Sequence, residues 1–161
     1  CLSSAASDVY KRQEQSCFLR ENFSISEGLP PEINLNNEKN NGETVLQLIR
    51  KNLVTSVHDI SSGGLLVALS EMSIASNLGA KIYKPKKLTN KFEYFFGEDQ
   101  GRYIIEVEKG NLEKVIKMLN GNEVYYENIG KTQAKNFEVE NEFKIDVNDL
   151  FKINNQWYNN Y

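Results

Sequence analysis

The sequence predicts an α+β domain with a mixed β-sheet and helices mainly on one face. Three observations carry this. Helix-like and strand-like periods alternate from residue 45 to about residue 120, short strand-like runs follow to residue 147, and one amphipathic run closes the chain. At 161 residues the chain has the length of one domain, enough to bury roughly two-thirds of its unfolded surface.

Residues 1–13, CLSSAASDVYKRQ, carry no periodic apolar face and read like translated adapter sequence. They are expected to be non-native and to stand outside the domain; a native N-terminal helix is the plainer alternative. Residues 14–42 are expected to form a linker and interdomain segment, because 24–42 combine Pro30 and Pro31 with several Asn, two Gly and few apolar residues. The compact domain is expected over 43–161. It starts with a helix on which Val45, Leu48, Ile49 and Leu53 recur at helical spacing.

VTSVHDI at 54–60 is short and rich in β-branched residues, so it reads as a strand. Ser61 or Ser62 is the natural N-cap of the next helix, whose apolar stripe runs through Leu65, Leu69, Met72 and Ala75, and Gly79 is its natural stop. A strand at 80–83 follows. KFEYFF at 91–96 reads either as a short helix or as an irregular aromatic segment. RYIIEVE alternates as a strand, and Asn111 caps a helix through Leu112, Val115, Ile116 and Leu119 that ends at Gly121. Strands are expected near 123–131, 136–140 and 143–147. A last helix, capped by Asn148, carries Leu150, Phe151, Trp157 and Tyr158 and docks the chain end.

Composition bounds the function. A net charge of −3 gives no broad basic surface, so nucleic acid is not an expected partner. No apolar run approaches the roughly 18 residues that span a membrane, and no secretory leader is visible, so the expected compartment is the cytoplasm. Two cysteines and one histidine offer neither a disulfide framework nor a zinc site, and no metal ligands are assigned.

Two segments hold chemistry-bearing residues. At Ser61, Ser62, Gly63 and Gly64 a strand turns into a helix, where free N–H groups and the positive dipole end can hold an anion. The plainer reading is a capped helix after a tight turn. At Glu98, Asp99, Gln100 and Arg102 two acids, an amide and a guanidinium crowd between glycines, which suits magnesium, an amine or phosphate. Here the plainer reading is a solvated turn with a Glu98–Arg102 ion pair. If the flanking strands are sheet neighbours, both segments open on one edge. His58 and Asp59 are second-tier candidates; strand alternation separates them, and a lone histidine more often bonds a backbone carbonyl. Phe92, Tyr94, Phe95 and Phe96 are expected in the core or on an interdomain face.

Several segments in order resemble the C-terminal end of the large subunit of phosphoribosylformylglycinamidine synthase, of the PurM-like ATP-binding superfamily. They are QSCFLRE near residue 15, LPPEINL at 29–35, NGETVLQLIR at 41–50, VTSVHDISSGGLLVALSEMSIASNLGA at 54–80, FFGEDQGRYIIEV at 95–107 and IGKT at 129–132. The resemblance implies a PurM-like C-terminal domain, the last of four. It implies an ATP-dependent C–N ligase that turns formylglycinamide ribonucleotide, ATP and glutamine-derived ammonia into formylglycinamidine ribonucleotide, ADP and phosphate. ATP and Mg2+ would be bound mainly outside this segment, none is expected on the isolated chain, and the isolated chain should be inactive. The implied partners are the preceding domains of the same chain, a glutaminase subunit and a small PurS-type subunit. No catalytic residue is carried over. Ser62 stands where the family commonly has aspartate, which removes one possible ligand. The alternatives are another enzyme of the superfamily, of aminoimidazole ribonucleotide synthetase, selenophosphate synthetase or HypE type, and a non-catalytic assembly module.

Overall fold

The computed structural model describes residues 2–5, 16–26, 33–85 and 90–159. Among them are seven strands and six α-helices: β1 (Leu2–Ala5), α1 (Cys17–Phe23), α2 (Leu35–Arg50), β2 (Ser56–Asp59), α3 (Gly64–Ser76), β3 (Gly79–Ile82), α4 (Lys91–Phe96), β4 (Tyr103–Glu106), α5 (Leu112–Gly121), β5 (Glu127–Gln133), β6 (Asn136–Val139), β7 (Phe143–Asp146) and α6 (Val147–Asn159). The strands form one sheet in the order β2-β4-β1-β5-β3-β6-β7. Only β3 and β6 run parallel, and the other neighbours are antiparallel, so the sheet is mixed as expected.

Alternation along β4 builds two cores. Ile104 joins Leu65, Leu69, Tyr94, Phe95, Ile129 and Phe137 under α3 and α4, with Leu150 of α6 packed against them. Its neighbour Ile105 points the other way and joins Val45 and Leu48 of α2 with Val115 and Leu119 of α5. α3, α4 and α6 pack on one face of the sheet and α2 and α5 on the other, so helices cover both faces rather than mainly one. Burying a side chain of this kind contributes about 1.5–3 kcal/mol, which lets four-residue strands hold.

The structure corrects several expectations. Leu2–Ala5 do not stand outside the domain: they form β1, between β4 and β5, while residues 6–13 lie outside the described residues. The segment 14–42 is not only linker. Ser16 caps α1 by accepting from the Leu19 N–H at 3.3 Å, and Asn34 starts α2 by accepting from the Asn37 N–H at 3.0 Å. Asn41 is buried and gives its amide to the Gly101 carbonyl at 3.0 Å, so a residue that composition assigns to a loop is held in a helix by tertiary bonding. The Pro30–Pro31 pair lies outside the described residues.

Further corrections concern caps. α3 stops at Asn77, which takes φ 53°, and Gly79 opens β3 instead. Asn111 precedes α5 as the end of a short 3-10 turn without a side-chain cap bond. α6 begins at Val147, and the Asp146 carboxylate accepts from the Asn148 N–H at 2.8 Å, so the aspartate caps that end. Leu150 docks the last helix, while Phe151 and Tyr158 are exposed. KFEYFF resolves as helix α4, opened by Asn90, which accepts from the Phe92 N–H at 3.0 Å.

Candidate functional site

β2 leaves the sheet at Asp59, and the chain reverses through Ser61–Gly64 into α3. The Gly64 N–H donates to the Ser61 carbonyl at 3.0 Å. Gly63 and Gly64 take φ +83° and +73°, and a Cβ on Gly64 would lie 2.5 Å from the Phe96 carbonyl carbon. The absence of a side chain thus lets the end of α4 lie directly on the start of α3.

The cap of α3 comes from another segment. Gly63 occupies the N-cap position without a side-chain cap bond, and Ser61 and Ser62 are exposed. Glu98 supplies the acceptor: its Oε1 lies 2.8 Å from the Gly63 nitrogen and 2.8 Å from the Cys17 nitrogen. One carboxylate therefore sits at the starts of α1 and α3, in the place where an anion is favoured by N–H donors and by the dipole. The expected Glu98–Arg102 ion pair is corrected. Arg102, 3% exposed, faces Asp99 with Nη1–Oδ2 at 3.5 Å and donates to the Gly97 carbonyl at 3.3 Å. Asp99 is itself buried, and Gln100 is exposed.

The two predicted segments are brought together. Glu98 reaches the Gly63 turn, and the Ile60 N–H donates to the Arg102 carbonyl at 2.9 Å because β2 and β4 are sheet neighbours. Sequence reasoning missed Cys17, whose N–H completes the Glu98 site, and Asn41, which holds Gly101. The signal for the first was Ser16, a good N-cap just ahead of CFLREN. The loop 97–102 is thus a hub joining α1, α2 and α3, through the Glu98 carboxylate and the Gly101 carbonyl.

His58 lies apart from the hub. Its Nδ1 meets the Asp59 backbone carbonyl, as a lone histidine often does, and its Nε2 is 3.3 Å from Glu71 of α3. It lines a cleft of about 550 Å³ with Thr55, Met72, Glu106 and Thr132.

The aromatic expectation divides. Tyr94 and Phe95 are buried, with the Tyr94 hydroxyl 3.4 Å from Glu127, so those two belong to the core. Phe92 is 50% exposed, and with Phe96 it stacks on Phe18 of α1, at centroid distances of 5.5 and 4.1 Å. Phe23, 59% exposed, packs edge-on to Phe18 at 5.9 Å.

The hub and both cores fall within residues 14–140, which match the family model for the AIR synthase related protein, C-terminal domain. The chain belongs to this family. Among curated members, the phosphoribosylformylglycinamidine synthase subunit PurL of Pelagibacter ubique (strain HTCC1062) is 46% identical over 148 residues, covering 92% of this chain and 20% of the relative. The same subunit of Rhodopseudomonas palustris (strain HaA2) is 39% identical over 147 residues, 91% of this chain and 20% of the relative. The chain spans about a fifth of the length of these relatives. Among solved structures, PurLQS from Thermotoga maritima aligns with TM-score 0.66 at 18% identity, covering 93% of this chain and 25% of that one. The HypE–HypF complex aligns with TM-score 0.56 at 14% identity, covering 90% and 51%. These structural likenesses show the family's PurM-like fold. The matched stretch begins at residue 14, so β1 lies ahead of it.

Proposed function

We propose that this chain is the C-terminal domain of a phosphoribosylformylglycinamidine synthase large subunit, acting in purine biosynthesis within a longer ATP-dependent C–N ligase in the cytoplasm. The reaction would convert formylglycinamide ribonucleotide to formylglycinamidine ribonucleotide with ATP and glutamine-derived ammonia. The observation that carries this reading is the 46% identity to a PurL subunit along 92% of the chain. Thermotoga maritima PurL has been solved with FGAR, with ATP and with AMPPCP.

Within that enzyme the domain is a supporting body. The reading is supported by the α3 start, where Glu98 takes the place of an anion, and by the buried guanidinium, which faces Asp99. ATP and Mg2+ belong to the remainder of the enzyme, and the isolated chain performs no turnover. The edge bearing Ser61, Ser62 and Gln100, with the adjoining Phe18 and Phe92 surface, faces the preceding domains. A glutaminase subunit and a small PurS-type subunit complete the assembly.

A chimera tests this. Residues 14–161 replace the corresponding C-terminal part of the Pelagibacter ubique subunit, and amidine formation from formylglycinamide ribonucleotide, ATP and ammonia is measured. Activity within about tenfold of the parent is expected, because an intact supporting domain leaves the reacting groups in place. A folded but inactive chimera overturns the assignment.

A further inference from the structure

The end of the sheet where β2 and β3 begin holds the cleft of about 550 Å³, beneath the second half of α3. β4 ends there at Glu106, and β5 reaches it at Thr132. Among the described residues its lining carries two carboxylates, Glu71 and Glu106, and no lysine or arginine.

The sheet register places the acceptors. Ser56 pairs with Glu106 and His58 with Ile104, and Ile104 points toward α3, so His58 and Glu106 stand diagonally on the face that α3 covers. Such diagonal neighbours are about 7–8 Å apart. Glu106 accepts from the Thr55 hydroxyl at 2.9 Å and joins no ion pair among the described residues. At the other end, Nε2 of His58 is 3.3 Å from the Glu71 carboxylate. The Asp59 carbonyl can only accept, so in neutral His58 the Nδ1 that meets it carries the ring proton, and Nε2 turns a lone pair toward Glu71. Two acceptors then face each other with no hydrogen between them, and a donor is what both lack.

A separate observation comes from α3. Ser70 and Ser76 return their hydroxyls to the Leu66 and Met72 carbonyls, each at 2.7 Å. Ser73, between them, is 4% exposed and lines the cleft, yet its hydroxyl has no hydrogen-bond partner among the described residues. Buried hydroxyls are ordinarily bonded, so one that opens unpartnered onto a cleft marks a place for a polar ligand atom.

We propose that the cleft is a binding site for a short aliphatic diamine. One ammonium lies against Glu71 and Nε2 of His58, the other against Glu106, and an extended chain of about four or five carbons covers the interval. Leu69 and Met72 supply an apolar wall for the methylenes. The Ser73 oxygen accepts a further ammonium hydrogen.

The probe is 1,4-diaminobutane, titrated calorimetrically into the full chain at pH 8 and low salt. Saturable binding at one molecule per chain is expected. Butylamine, with a single ammonium, should bind at least tenfold more weakly, and 1,4-butanediol, which has no charge, should not bind. Both comparisons use the native chain and so hold whether or not a variant folds. Glu106→Gln and Glu71→Gln should each weaken diamine binding at least tenfold, and Ser73→Ala about threefold, with melting midpoints near the native one. Glu113→Gln, on α5, should leave the affinity unchanged. Absence of saturable binding or equal binding of butylamine would overturn the proposal. So would equal losses in Glu113→Gln and Glu106→Gln, which would show diffuse attraction to an acidic chain.

Discussion

The carboxylate of Glu98 lies 2.8 Å from the backbone nitrogen of Gly63, across 35 residues of sequence, and fills the place where an anion would rest at the start of α3. Because the same oxygen accepts from the Cys17 N–H, its removal uncaps two helices together. Glu98→Ala should cost roughly 2–3 kcal/mol of unfolding free energy, and Glu98→Gln, which keeps a neutral acceptor, roughly half of that. Urea unfolding midpoints at constant slope check both values. Equal losses would mean that the charge contributes nothing.

The serines beside that turn predict the opposite. Ser61 and Ser62 are exposed and Gly63 holds the N-cap position, so Ser62→Ala should change stability by less than about 0.5 kcal/mol. Gly64→Ala should be severe, at roughly 2–4 kcal/mol, since its φ is +73° and a Cβ would lie 2.5 Å from the Phe96 backbone. Thermal melts of the two variants side by side decide this. A mild Gly64→Ala would mean that α4 can move off α3.

What the sequence made legible follows from the range of the interactions. α5 and β4 could be read because their periods are local: Val115 and Leu119 fall one turn apart, and Ile104 and Ile105 alternate. The start of α2 could not, because Asn41 owes its place to a carbonyl 60 residues away. Proximity of the two glycine-bearing segments was legible from strand adjacency, but the partner of Glu98 was not; from sequence the nearer Arg102 competes with a backbone N–H that only the fold supplies. In α4, six residues are too few to show a period, so the inward Tyr94 and Phe95 could not be told from the outward Phe92.

Acid should loosen the corner where β6 turns into β7. Glu142 accepts from Lys84 at 2.8 Å and Lys91 at 3.1 Å, and these bonds hold its carboxyl below the ordinary value of 4.5. A depressed folded-state value means that the stabilisation is fully present above the unfolded carboxylate range and is lost as pH falls through the folded value. The melting-point gap between native chain and Glu142→Gln should therefore be constant from neutral pH down to the ordinary glutamate range and close below it. Because all three side chains meet solvent, the gap should also shrink in high salt. A gap that widens in acid would contradict the assignment.

The aromatic surface allows a separation of packing from docking. Phe96 is partly buried and stacks on Phe18 at 4.1 Å, so Phe96→Ala removes contacts within the domain and should cost roughly 2–3 kcal/mol. Phe92 stacks at 5.5 Å but is half exposed, so Phe92→Ser should cost less than about 1 kcal/mol. If Phe18, Phe23 and Phe92 face the preceding domains, the isolated chain presents an apolar patch to water and should self-associate weakly. Sedimentation velocity across a concentration series should then show association in the native chain that Phe92→Ser reduces, while its melting midpoint stays near the native one. In the chimeric enzyme the same substitution should weaken domain docking, seen as earlier proteolytic separation of the C-terminal domain. Unchanged association together with unchanged proteolysis would remove this surface from the interface and leave Phe92 as an exposed ring.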